Sequence, residues 1–348
     1  MGLSQAQLGE RLGLDRTMVA KIEAGTRQLD AIELFRLSDG LGLPIDHFLS
    51  LPPAAIVSRR TPLTEDNENS VTRDSYRLEA VLTAWLRDIE QLDEFGILEI
   101  SRPEGLSVSA TDVVSAQRAA GEVRAYLDVG LEPLGPMIEV CEQLGLLILV
   151  TELPGDGASV QWKTYGAAVV SHRGEPGRRR ATAAHELGHF LLGDEYSSDL
   201  GVHASRGERE YLIDTFAAEL LAPVDALRGS WPTGGEDGVL REHAVQQSAS
   251  FRVSWSLLLR QLERAELIDS SLQARWRNTP PTRAEFLDAA GWEPRPDLDL
   301  GQVPPKFAHA VLTAWRRSLV SASRAVELLR GQVSVEDLPP RSEDADTP

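Results

Sequence analysis

The chain of 348 residues has a single cysteine, Cys141, which excludes an internal disulfide and leaves no cysteine cluster for a structural zinc. That scarcity suits a reducing cytoplasm. Long apolar runs are also lacking: the longest, Leu144 to Val150 around one glycine, falls far short of the roughly 18 residues that span a bilayer. No membrane partner is expected. The opening MGLSQAQLGERLG has no apolar signal-peptide core, and Ala6 breaks the N-acylation pattern. Positive charge is in short supply, with 35 Lys and Arg against 53 Asp and Glu, net −18. The molecule as a whole therefore repels nucleic acid, and any DNA contact must be local. What remains is ordinary globular composition, 42% hydrophobic and 25% charged, in a chain long enough for two or three domains.

Patterning divides the chain. Residues 1–50 carry short helical stripes: Ser4 caps a helix bearing Leu8 and Leu12, and Asp15 caps a second with Met18, Val19 and Ile22 inward. A third stripe holds Ile32, Leu34, Leu37 and Leu41. Residues 51–74, with Pro52, Pro53, Pro62 and TEDNENS, read as a linker. From 75 to 270 come helices at about 75–92, 121–129, 136–144, 179–192, 208–221 and 253–267, with strands at LLILV and at Tyr165 to Ser171. Residues 271–340 form a C-terminal helical region whose last helix runs from Phe307 to Leu329, and 341–348 a disordered tail. The fold class expected is mainly α with a small β-sheet, α+β.

The chemistry concentrates in ATAAHELGHFLLG, residues 181–193. His185 and His189 stand about 40° apart on a helix and one turn along it, so both imidazoles reach one ion. Glu186, rotated about 100° from His185, is placed to take a proton from a metal-bound water. A hydrolytic metal needs a third protein ligand and an open position. The next helix, GEREYLIDTFAAELLAP, offers Glu210 and Asp214 at i and i+4. One carboxylate closes the triad while the other accepts the free ring N–H of a liganding histidine; Glu208 is a rival ligand. Tyr196, His203 and Tyr211 are placed to stabilise an oxyanion, and spacing singles out none of them. The strand at 165–171 is expected to pair with an extended substrate by edge addition. Cys141, Trp255, Leu258 and Leu262 read as core, and Arg178, Arg179 and Arg180 as a solvated basic turn.

GRRRATAAHELGHFLLG at 177–193, followed by E-x-x-x-D-x-F-A-A-E-L-L-A-P at 210–223, resembles the ImmA/IrrE zinc metallopeptidases, over about residues 115–270. The resemblance implies a zincin-like domain with zinc on His185, His189 and Glu210, Glu186 as general base, Asp214 as the residue orienting a ligand, and a repressor as substrate. Many members have Asn where this chain has Asp214, and the usual LLMP ending is LLAP here. Other divalent ions also fit a His₂Glu set.

LSQAQLGERLGLDRTMVAKIEAGTRQLD at 3–30 resembles the XRE-type helix-turn-helix, beginning at the second of the family's usual five helices. The resemblance implies operator DNA as partner, with Arg16, Thr17 and Lys21 facing the major groove and Gln5 near phosphate. A module used for protein contact is the alternative, and a homodimer stays open. The function expected is a cytoplasmic zinc endopeptidase coupled to a DNA-binding module, cleaving a regulatory protein. Its rival is a transcriptional regulator or antitoxin-like protein whose peptidase-like domain senses or binds without turnover.

Overall fold

The computed structural model of the chain describes residues 3–41, 43, 45–49, 58–60, 68–193 and 203–341. It opens with helices α1 (Gln5–Leu12), α2 (Arg16–Glu23), α3 (Ala31–Leu41) and α4 (Asp46–Leu49). Ser4 and Gln7 cap α1 reciprocally, and Gly13, at φ 67°, ends it in the left-handed conformation that glycine adopts without strain. Asp15 stands at the start of α2 but makes no side-chain capping bond. Helices α1 and α2 meet closely because Gly9 has no Cβ; one there would lie 2.5 Å from the Leu14 carbonyl oxygen. Leu12 and Val19 are buried, whereas Met18 and Ile32 are exposed. Glu33 takes the inward place on α3 instead, since Arg27 pairs with it at 2.6 Å and satisfies its charge.

A short strand, β1 (Ser58–Arg60), lies inside the segment read as linker. Helix α5 (Glu68–Glu94) begins at Glu68 rather than near Ser75. There follow α6 (Val113–Tyr126), α7 (Met137–Gln143), β2 (Leu146–Thr151), β3 (Gly157–Trp162), β4 (Tyr165–Ser171), α8 (Pro176–Leu192) and α9 (His203–Leu221). The rest is helical: α10 (Val224–Ser230), α11 (Asp237–Phe251), α12 (Trp255–Arg264), α13 (Ser270–Arg277), α14 (Arg283–Ala290), α15 (Pro305–Arg316) and α16 (Ala322–Leu328). The last helix expected is thus two, and the tail from 342 lies outside the described residues. The protein is mainly α with a small sheet, an α+β fold.

Among the described residues the sheet has the order β1-β3-β4-β2, with β2 parallel to β4 and β3 antiparallel to both β4 and β1. Helices cover both its faces. Alternation along the strands deals Leu146, Ile148, Val150, Ala168 and Val170 to a core shared with α6, α7, α8, α9, α11 and α12. Leu147, Leu149, Val160, Ala167 and Val169 face a second core built from α5, α15 and α16. Burial on both sides is why LLILV and AAVV read as unbroken apolar runs. The second core joins the C-terminal residues to the centre: Trp85 and Phe307 pack with ring centroids 4.5 Å apart, and Trp85 Nε1 donates to the Leu147 carbonyl at 3.1 Å. Residues 305–329 are therefore one wall of the central fold.

Candidate metal centre

Helix α8 carries the histidines and is fixed at both ends. Pro176 opens it and Gly193 closes it in the left-handed conformation, at φ 67°. Arg179 and Arg180 are not in a solvated turn as their charge suggested. Both are buried within α8, where Arg180 pairs with the buried Asp297 and donates to the Gly135 carbonyl at 2.9 Å, while Arg179 donates to the Leu298 carbonyl at 2.9 Å. A buried carboxylate offsets the unfavourable position of a cation at a helix N-terminus. Only Arg178 points outward, paired with Asp156 at 2.8 Å.

Helix α9 crosses α8 at Gly188, where an added Cβ would meet Ile213 Cγ2 and Phe216 Cδ1, each at 3.0 Å. This close approach brings Glu210 to the histidines. His185 Nε2 lies 3.1 Å from His189 Nε2 and 3.2 Å from Glu210 Oε2, and His189 Nε2 lies 3.7 Å from the same carboxylate oxygen. Donors about 2.0 Å from a tetrahedral ion are about 3.3 Å from one another, so the three atoms are spaced as a metal triad requires. Among the described residues this His185, His189, Glu210 cluster is the one grouping that could hold a metal ion. Glu208 is exposed and outside it.

Asp214 Oδ1 stands 2.9 Å from His185 Nδ1. With the proton on Nδ1, the Nε2 lone pair is directed at Glu210 and His189. Burial opposes a charged His185 ring, but the hydrogen bonds to Asp214 and Glu210 outweigh it and hold its pKa above the ordinary value. The spot favours positive charge, which is the electrostatic demand a bound cation answers.

Glu186 is fully buried beside the triad. Its Oε2 accepts a 2.6 Å hydrogen bond from the Ser159 hydroxyl, while its Oε1 has no partner. Room at Oε1 is kept by Gly157, where a Cβ would lie 3.2 Å from that oxygen and 2.8 Å from Thr182 Cγ2. Neither Ser159 nor Gly157 was picked out from the sequence, because β3 was not anticipated. The signal available was a hairpin: two apolar stretches separated by Lys163 and Thr164, with Lys163 at φ 49° as such a tight turn demands.

Two expectations change. The strand at 165–171 cannot take a substrate by edge addition, since β4 is hydrogen-bonded to β2 on one side and β3 on the other. Of the oxyanion candidates, Tyr211 is exposed on α9, while Tyr196 and the side chain of His203 lie outside the described residues. Cys141 is buried and burial pushes its thiol pKa up, so it packs rather than reacts. In the N-terminal module Arg16, Thr17 and Lys21 are exposed along α2, and the Gln5 amide donates to Glu23 at 2.7 Å.

Fold and site together define a helix-turn-helix protein with a central, peptidase-like domain that could hold a metal ion. Residues 1–48 match the helix-turn-helix family model, of XRE type, and residues 141–263 match the IrrE N-terminal-like domain of the M78 peptidases. No curated protein and no solved structure matches the chain. No helix among the described residues is long and apolar enough to cross a membrane.

Proposed function

We propose that this chain is a cytoplasmic zinc endopeptidase that cuts a regulatory protein of repressor type and is brought to it by its DNA-binding module. The observation that carries this reading is the convergence of His185 Nε2, His189 Nε2 and Glu210 Oε2 at 3.1–3.7 Å beside the partner-free Oε1 of Glu186. A zinc ion held by the three donors supplies a Lewis acid that polarises the scissile carbonyl and acidifies water. Asp214 fixes the His185 ring through Nδ1. Ser159 pins one oxygen of Glu186, leaving Oε1 to take the proton of the attacking water and hand it to the departing amine. Burial of Glu186 excludes solvent and strengthens the interactions that its carboxylate makes.

The helix-turn-helix adds proximity. A substrate bound at the same operator meets the protease at raised effective concentration without any change in the site. Exposed Arg16, Thr17 and Lys21 on α2 are the residues we assign to DNA, with Gln5 at the phosphate side.

The test compares wild type with Glu186→Gln, using as substrate a candidate repressor, for which the first place to look is the neighbouring reading frame. Equal metal content with cleavage confined to wild type supports the hydrolase. If both proteins leave the repressor intact while both shift operator DNA, the domain binds or senses without turnover.

A further inference from the structure

Strand β3 has two edges. Along one it pairs with β4 from Gly157 to Trp162. The other is occupied by β1, antiparallel, with Ser58 opposite Ser159, Arg59 opposite Ala158 and Arg60 opposite Gly157. Those are the β3 residues that adjoin the candidate base: the Ser159 hydroxyl bonds Glu186 Oε2 at 2.6 Å, and a Cβ on Gly157 would lie 3.2 Å from Oε1. The edge that runs past Glu186 is therefore filled by a segment of the chain's own linker, while Glu186, His185 and His189 are all buried.

The strand is a weak tenant. It spans three residues, at the short limit for a strand. Pro53 and Pro62, which have no amide N–H to donate, bracket the segment in sequence and limit any ladder. Its hold comes from belonging to the same chain, because intramolecular pairing carries an effective concentration on the order of millimolar.

We propose that the outer edge of β3 is the peptide-binding groove of this site and that β1 is its resident ligand, an extended segment of the same chain that a protein substrate must displace. The proposal rests on the metallopeptidase reading above for its purpose, but the groove and its tenant are tested by binding alone. Pairing through main-chain bonds makes the groove tolerant of side chains, so the class of ligand is an extended peptide. The strand lies in the segment joining the helix-turn-helix to α5, which puts control of the groove outside the metal cluster.

The experiment uses the full zinc-loaded chain and a fluorescein-labelled peptide of residues 55–63, AIVSRRTPL, followed by anisotropy. Ser171 N–H donates to the Asp156 carbonyl, so Ala158 turns its backbone groups to β4 while Gly157 and Ser159 turn theirs to β1; Arg60, opposite Gly157, is thus a ladder donor, and Arg60→Pro removes it from the tenant. This variant should bind the peptide about fivefold more tightly than wild type, the worth of one net backbone hydrogen bond, and should speed hydrogen exchange at the Gly157 and Ser159 amides, which face β1. The double variant Arg59→Cys with Ala158→Cys places two thiols at directly paired positions, about 4.5–5.5 Å apart at Cα, within disulfide range. Oxidised, it should lose the peptide; reduced, it should regain it. The native Cys141 is buried and does not compete. Failure of the disulfide to form, unchanged exchange in Arg60→Pro, peptide binding by the oxidised chain, or self-cleavage of wild type within residues 55–63 would each overturn the proposal. Turnover of a repressor plays no part in the binding readout, so failure of the hydrolase reading shows separately in the Glu186→Gln comparison.

Discussion

Replacing Asp214 by alanine tests the metal centre through a residue that touches no ion. Its carboxylate accepts the His185 Nδ1 proton at 2.9 Å, which fixes the tautomer and aims Nε2 at Glu210 and His189. Hydrogen bonds to charged groups are worth about 1.5–3 kcal/mol. His185 is buried but the Asp214 side chain is 32% exposed, so water screens the bond and the low end applies, about 1.5 kcal/mol. That converts to about a tenfold loss of zinc affinity, the lower end of the 10- to 100-fold range usual for residues that orient metal ligands. Asp214→Asn keeps a carbonyl acceptor and should fall between alanine and wild type. Competition against a chelating dye measures the affinities, and far-UV circular dichroism confirms that the variants are folded. Wild-type zinc affinity in folded Asp214→Ala would refute the reasoning, because the ring would then be held without the carboxylate.

Three further outcomes follow from the same structure. Ser159→Ala frees Glu186 Oε2 from its 2.6 Å bond and should lower kcat about tenfold at unchanged zinc content, read by peptide hydrolysis beside metal analysis. Asp297→Ala leaves Arg180 charged, buried and without its carboxylate, and should cost about 3–5 kcal/mol in denaturant unfolding; adding Arg180→Met should recover much of the loss. Burial lowers the pKa of His243 below its ordinary 6.5, so the unfolded chain takes up the proton first as pH falls through that value. Its contribution to stability, present above pH 6.5, is lost on acidification. The difference in Tm between wild type and His243→Gln should therefore shrink or reverse between about pH 7.5 and 5.5, monitored by thermal melts.

The divide between what was readable and what was hidden follows the reach of each signal. The spacing of His185 and His189, the pairing of Glu210 with Asp214, and the apolar runs of β2 and β4 are local patterns of known period, and they were legible. So was the capping of α1 by Ser4, a bond across three residues. Arg180 was misread because its partner, Asp297, is remote in sequence and only the packed fold brings the two together. The edge pairing assigned to β4 failed for the same reason: a strand's neighbours are set by topology, and β3 and β2 flank it.

The sequence by itself determined which helix offers two imidazoles to one point with Glu186 turned to their side, since a helix turns by a fixed angle per residue and side-chain direction follows from position. Tertiary structure alone decided how near Glu210 comes, through the contact at Gly188, and which oxygen of Glu186 is left without a partner, through Ser159 on β3. It also decided that β1 lies along β3, because distances between elements depend on packing of side chains far apart in the chain, for which no local period exists.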